Sequence, residues 1–343
     1  MRRGLGLDPS LGLSWDEQHV VVREAARLGY DSLWAPSWPG APDAFLSCIH
    51  WNTATREVVE GGLPTGTLVI PASLWTPMPL ATIAATAADI TGGRFVLGIG
   101  TGGTIDPVFR RTYGLPELPP ITQMRDQLLA LRGLLAGQTV MRDATFTLHG
   151  ARLAFHPPPV PVFLGALGPQ MLRLAGEAAD GAALNWCGPK EVAWSRRRIA
   201  EGARRAGRDP SEIRVVEYIR VAIDEDVAAA RHALARSALP YVLAREGEVR
   251  NVGYRRHFAR MGFDAALAEL ATRRDRGASP DELADAVPED LLRGVGYFGP
   301  ARDASRAVER LSEGLDLPIV RVVRVRGGAE AVLATVRALA PTA

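Results

Sequence analysis

The chain is predicted to be an α/β protein, a single eight-stranded (β/α)8 TIM barrel, and three features of its sequence point there. A unit made of one short apolar run and one amphipathic helical stretch occurs four times within about the first 100 residues, the pattern of parallel strands joined by crossover helices. The same unit resumes after residue 160 and continues towards the C-terminus. No Ser- or Pro-rich linker divides the 343 residues, and α/β barrels reach this length as one domain with enlarged loops. One domain over 1–343 is therefore expected, with insertions at about 104–160 and 240–288.

Gly4 to Leu7 is the first apolar run. Ser14 opens the first helix with Glu17 three residues on, a capping box in which each side chain satisfies a backbone N–H of the first turn; Gly29 ends it after Leu28. Asp31 to Ala35 is the second strand, Asp43 to about Thr55 the second helix, and Leu63 to Ile70 the third strand. Gly66, Pro71 and Pro77 interrupt that third run, which fits a bulge near Val69 or a simple strand end. PLATIAATAADITGG spaces Ala and Ile at helical intervals and stops at Gly92 and Gly93; RFVLGIG follows as a buried fourth strand.

The chain then leaves the repeat. Prolines at 116, 119 and 120 precede a helix from about Ile121 to Leu135, and TVMRDATFTLHGARLAF alternates like a hairpin. The repeat resumes with PVFLG, a helix after Pro169, the strand GAALNW, a helix from Pro189 to Ala206 and a strand from Ile213 to Ile223. From about 240 to 288 the sequence is charged and helix-forming with no strand-like run, an insertion with the make-up of a lid. Arg302 to Gly314 reads as a helix, LPIVRVVRV as the closing strand and Ala329 to Leu339 as the last helix.

Hydrophobic residues make up 47% and charged residues 23%, a globular balance that supplies a large core and excludes disorder. Net charge is only +2, with arginines scattered beside acids along helix-like segments, so nucleic acid is not an expected partner. Lys190 is the only lysine, a bias that points to genome composition more than to phosphate recognition. Cys48 and Cys187 are far apart and match neither a metal-ligand spacing nor a disulfide framework, so no metal and a reducing cytoplasm are expected. Arg2 and Arg3 do not read as an export signal, because Asp, Pro and Gly break the following stretch. No run reaches the roughly 20 apolar residues of a membrane span.

Besides the interrupted end of the third strand near Val69, two strand ends carry chemistry. Gly98, Gly100 and Gly103 fit G-x-G-x-x-G by letter, but the strand is the fourth and an irregular, proline-rich segment follows, not the strand-to-helix turn of a dinucleotide fingerprint. A tight turn, or a barrel-mouth loop whose bare backbone admits a flat ring, both fit. At Gly165 to Gly168, with Pro169 preset for the first helical position, the N–H groups of Ala166, Leu167, Gly168 and Gln170 converge at a helix N-terminus that suits an anion. An ordinary βα turn fits the same local pattern. Asp8, Asp106 and Glu217 are the candidate proton donors; an Asp at a strand end also serves as a cap, and Glu217 also fits a surface pair with an arginine. Trp38, Trp75 and Trp186, with Ser37, could wall a flat apolar substrate or simply pack in the core. His50 lies in a helix pattern, as a packed or surface residue.

GYDSLW after an amphipathic helix, ATIAATAADITGGRFVLGIGTGG, and above all LGALGPQMLRLAGEAADGAALNW together resemble the luciferase-like monooxygenase superfamily. Within it they are most similar to the branch that uses the deazaflavin coenzyme F420, which includes methylene-tetrahydromethanopterin reductase. The resemblance spans residues 4 to about 223 and, weakly, the last strand; it does not cover 240–288. It implies a bacterial luciferase-like barrel with the coenzyme at the C-terminal strand ends. The ring would rest on a bulge with a non-prolyl cis peptide, at Leu68–Val69 or Val69–Ile70. Gly100, Thr101 and Gly102 would flank the ring and ribityl chain; Gly165, Ala166, Leu167 and Gly168 would hold the phosphate; Asn185 completes the implied coenzyme set. A homodimer is implied as well.

This chain also departs from its relatives. Ser37 and Trp38 stand where many have Asp-His, Gly103 and Asp106 where the sugar-phosphate dehydrogenases have Glu and Asn, and Trp75-Thr76 where relatives have Arg-His. A glucose-phosphate substrate is thus disfavoured. The implied activity is hydride transfer between reduced deazaflavin and a C=N, C=C or C=O bond of a small molecule. A flavin mononucleotide (FMN) monooxygenase of the same fold, or a noncatalytic flavin-binding protein, are the alternatives.

Overall fold

A computed structural model describes residues 2–103, 106–243 and 253–341. The short apolar runs become parallel strands: β1 (Gly4–Gly6), β2 (Ser32–Ala35), β3 (Thr65–Thr67) with its detached end β4 (Ile70–Pro71), and β5 (Phe95–Gly100). Past the antiparallel hairpin β6 (Val140–Asp143) and β7 (Thr147–Ala151) come β8 (Val162–Gly165), β9 (Gly181–Asn185), β10 (Arg214–Ile223), β11 (Gly296–Gly299) and β12 (Leu317–Val322). Each barrel strand pairs in parallel with the next, in the order β1-β2-β3-β5-β8-β9-β10-β12, and β12 pairs back to β1. All eight barrel strands are those expected from the repeat.

The helices that cover the barrel are α1 (Trp15–Arg27), α2 (Ala44–Thr55), α3 (Pro77–Ile90), α4 (Pro107–Thr112), α5 (Pro120–Leu135), α6 (Pro169–Ala178), α7 (Pro189–Arg205) and α8 (Val227–Val242). They continue with α9 (Gly253–Arg260), α10 (Asp264–Asp275), α11 (Pro280–Asp285), α12 (Glu289–Val295), α13 (Ala301–Leu311) and α14 (Ala329–Ala338). The capping box at Ser14 and Glu17 is formed, with both reciprocal bonds in place. None of the described helices is long and apolar enough to cross a membrane.

Three parts differ from expectation. A ninth parallel strand, β11, lies along the second half of β10, Arg220 opposite Gly296 through Ile223 opposite Gly299, where the first half pairs with β9. GYFG is too short and glycine-rich to show a strand period. The segment after the fourth-strand glycines, expected to be irregular, contains α4, capped by Asp106. The expected start of the second insertion at residue 240 falls inside α8, since Pro240 is tolerated in its last turn. Residues 244–252 of that insertion, and Thr104 and Ile105 of the first, lie outside the described residues. The helices of the second insertion, through Phe258 and Leu267, join Leu234 and Ala238 of α8 and Leu291 of α12 in a separate apolar cluster, tied to the barrel through Trp186 and Ala222.

Alternation along the strands fills the interior with a few large side chains, Trp34, Phe163, Tyr218 and Ile319 among them. Glycines opposite make the room: a Cβ on Gly66 would stand 2.6 Å from the Trp34 ring, and one on Gly6 would stand 2.5 Å from the Tyr218 ring. Two residues further along each strand the same inward face reaches the C-terminal mouth. That rule places Asp8, Gly100, Gly165, Asn185, Arg220 and Arg321 around the rim, with Val69 of the bulge among them. This is the end at which barrels of this kind carry their chemistry.

Candidate functional site

One half of the rim is nearly free of side chains. The Leu68–Val69 peptide is cis, the first of the two positions the resemblance allowed. Val69 then stands against bare backbone: a Cβ on Gly100 would lie 2.6 Å from Val69 Cγ2, and one on Gly165 would lie 3.3 Å from Val69 Cγ1. Gly102 has φ +59° and approaches Pro71 so closely that a Cβ would stand 2.6 Å away, so both its conformation and its contact require glycine. Leu68 is buried inside the barrel, Ile70 is buried in the outer core, and Thr101 is half-buried beside Gly100.

The opposite half is polar. Asp8 Oδ1 accepts from the Ser10 N–H at 2.8 Å and caps the short turn that follows β1, while Oδ2 is paired with the Arg321 guanidinium. Arg321 stands 5.1 Å from the Tyr218 ring centre and 5.9 Å from that of Trp38. Burial pushes its pKa down to about 10, so it stays a cation at neutral pH. On the neighbouring strand, Arg220 donates to Asn185 Oδ1 at 2.7 Å and stacks 3.9 Å from the centre of Trp186. Asn185 Nδ2 donates in turn to Tyr254 Oη at 2.6 Å, which ties the rim to α9 of the insertion.

At the end of β8, Gly168 is the N-cap of α6 and Pro169 its first residue. The expected set of N–H donors needs one correction: Ala166 N–H is committed to Ala183 O at 3.0 Å, in the register of β8 against β9. Leu167, Gly168 and Gln170 remain. A charge that the sequence did not assign stands beside them. Arg260 of α9 lies 3.4 Å from Leu167 O, bonds to His257 Nδ1 at 3.0 Å and stacks 4.1 Å from the centre of Trp194. Burial pushes His257 down to about 4, so it is neutral, donating from Nε2 to Trp186 O and accepting at Nδ1. Arg260 was legible only as one more arginine on a helix face, in the stretch that the resemblance does not reach.

The structure does not gather every candidate at the rim. Glu217 lies on the opposite face of β10 from Tyr218 and is wholly buried, so it makes no surface pair with an arginine. Its Oε1 accepts from Cys187 N–H at 2.6 Å, and burial pushes its pKa up to about 8. Trp186 is fully enclosed beneath Arg220, and Trp75 packs against Phe45 in the outer core, so neither ring walls an open pocket. Trp38 is exposed beside Arg321, with Ser37 half-buried next to it. Asp106 is buried and caps α4 through Val108 N–H. His50 packs against Trp15 on the outer helices. No group of three or more His, Cys, Asp or Glu among the described residues could hold a metal ion.

Glu217 makes a pH prediction. Its folded pKa lies above the ordinary carboxyl value, so the folded chain holds a proton that the unfolded chain releases, and stability falls as pH rises from about 4.5 through about 8. Glu217→Gln mimics the protonated form. The variant is expected to melt with the wild type at pH 4 and several degrees above it at pH 9; equal melting curves at both pH values would contradict the assignment.

A luciferase-like monooxygenase family model matches residues 3–316. The chain is 31% identical over 317 residues to the 5,10-methylenetetrahydromethanopterin reductase of Archaeoglobus fulgidus, covering 91% of this chain and 90% of that one. It is 29% identical over 303 residues to the enzyme of the same name from Methanolobus tindarius, covering 87% and 86%. Its fold is similar to that of the coenzyme F420-dependent tetrahydromethanopterin reductase from Methanopyrus kandleri, with a TM-score of 0.78, 21% identity and coverage of 99% and 97%.

Proposed function

Because the chain belongs to the luciferase-like monooxygenase family, we propose that it is an F420-dependent oxidoreductase that moves hydride between the coenzyme and an electrophilic C=N, C=C or C=O bond of a small organic substrate. The observation that carries this reading is the bare half of the rim. Val69, Gly100 and Gly165 meet with no side chain between them but that of Val69, and Gly102 stands bare against Pro71 beside them, a wall on which a flat tricyclic ring can lie.

The residues present fit the coenzyme. Val69, Gly100, Thr101 and Gly102 would hold the ring and its ribityl chain, and the turn at 165–168 its phosphate. There the N–H groups of Leu167, Gly168 and Gln170 sit at the positive end of α6, with Arg260 alongside. When bound, the deazaflavin supplies two-electron hydride exchange with little reactivity towards oxygen, because it has carbon where a flavin has N5.

The chain's own residues do the rest. Asp8 is the group best placed to exchange a proton with substrate: its carboxylate lies at the end of β1 on the rim, held by Ser10 N–H and Arg321. The Arg321 cation favours the ionised carboxylate, so Asp8 takes a proton when the substrate is oxidised and returns it when the substrate is reduced. Asp106, fixed as the cap of α4 near the glycine loop, is the second candidate. Glu217 acts behind the rim, fixing the turn at Cys187.

The test is turnover. Reduced F420 mixed with carbonyl, imine and activated alkene acceptors is expected to be reoxidised at the same rate in air and under argon. Oxygen-dependent turnover with reduced FMN would replace this reading with a monooxygenase; binding without turnover of any acceptor would favour a carrier.

A further inference from the structure

Burying a guanidinium away from water is costly unless an anion accompanies it. Of the two arginines on the rim, Arg321 has Asp8. Arg220 is 2% exposed and has no carboxylate partner among the described residues. Its bonds go to two neutral groups, Asn185 Oδ1 at 2.7 Å and, at 3.5 Å, Tyr241 Oη, and its faces meet the rings of Trp186 and Tyr241. Glu217 does not serve, because it lies on the outer face of β10 and its protonated form prevails at neutral pH.

Two further buried donors adjoin this arginine and lack an acceptor: Tyr218 Oη, two residues back on the same inward face of β10, and Nε1 of Trp186, on which Arg220 stacks. Buried polar groups are almost always paired. Two donors without an acceptor, beside a cation without a counter-charge, make a site that an acceptor-rich anion completes.

From this geometry we infer that Arg220 and Tyr218 form an anion subsite that binds the carboxylate of the substrate. The charge balance selects a monoanion: among the described residues the neighbouring cation, Arg321, is already neutralised by Asp8, and Arg260 stands apart at the β8 turn. One guanidinium with one phenol matches the single charge of a carboxylate better than the two charges of a phosphate dianion. Assigning the anion to the substrate rests on the reading above that the coenzyme ring lies on the Val69 wall. Among the eight barrel strands β3 and β10 are third and seventh, so Val69 and Arg220 face each other across the mouth with the substrate between them.

Benzoate, with benzamide as its neutral analogue, probes the subsite by calorimetry in the full-length protein, with and without oxidised F420. The expected result is that benzoate binds the F420-loaded protein about tenfold or more tighter than benzamide does. Arg220→Met should erase that preference, Tyr218→Phe should reduce it, and both should leave F420 affinity within about twofold. Met keeps the stem volume and removes a buried, unpaired charge, so folding should survive; Tyr218→Phe gives an independent reading if it does not. Equal affinity for benzoate and benzamide, or a preference unchanged in Arg220→Met, overturns the proposal. Weakened F420 binding in Arg220→Met, with benzoate competing against F420, assigns the anion to the coenzyme and overturns the substrate assignment. Benzoate binding through Arg220 in a protein that does not bind F420 upholds the subsite and removes the coenzyme reading instead.

Discussion

Gly168→Asp is expected to weaken coenzyme binding by about 100-fold or more, roughly 2.7 kcal/mol, while leaving the barrel folded. The two effects separate for a physical reason. Gly168 has φ −82° and ψ 155°, an extended conformation open to any residue, and a Cβ there meets nothing within 4 Å. Aspartate is a better N-cap than glycine, so α6 should gain stability, by about a few tenths of a kcal/mol. The gain arises from a carboxylate placed on the N–H groups and dipole end that the phosphate would use, so the variant fills the anion site with its own charge. Gly168→Ala, which adds no charge, should bind within about threefold of wild type. Chemical unfolding and coenzyme titration on the same preparations check both halves. A folded Gly168→Asp protein with undiminished affinity would place the phosphate elsewhere.

Asp8→Asn is expected to lower turnover by about 10²- to 10⁴-fold, the range for removing a general acid–base group, with F420 affinity nearly unchanged. Asparagine keeps the cap on Ser10 N–H. It cannot exchange a proton, and it leaves Arg321 without its counter-charge. Loss of one partner of a buried pair costs about 3–5 kcal/mol, so assays belong well below the variant's unfolding midpoint. The pH–rate profile separates a chemical role from a structural one. A proton-transfer role predicts that the wild-type limb assigned to the carboxylate disappears in the variant, whereas a purely structural role lowers the rate and leaves the profile in place. If the profile keeps its shape, Asp106 becomes the residue to examine.

Local rules made much of this molecule legible. The Ser14 and Glu17 capping box, the stop at Gly29 and the run RFVLGIG each depend on neighbours within a few positions, and each formed as expected. Gly100 and Gly165 were readable as strand ends, but a sequence does not state what fills the space a glycine leaves; here it is Val69. Strand phase decided the other cases. Glu217 and Arg220 are three residues apart on β10 and therefore face opposite ways, so the candidate named from sequence lies behind the rim and the residue passed over lies on it. Arg260 and Tyr254 reach the site from an insertion whose helical pattern gives no sign of which face meets the barrel. β11 escaped because four residues with two glycines carry no period.

The central claim, that the side-chain-free wall at Val69, Gly100 and Gly165 serves a deazaflavin, is tested most directly by titrating the purified protein with oxidised F420 and with FMN side by side. F420 is expected to bind at least about tenfold tighter, a difference of about 1.4 kcal/mol. Equal affinities, or a preference for FMN, would contradict it.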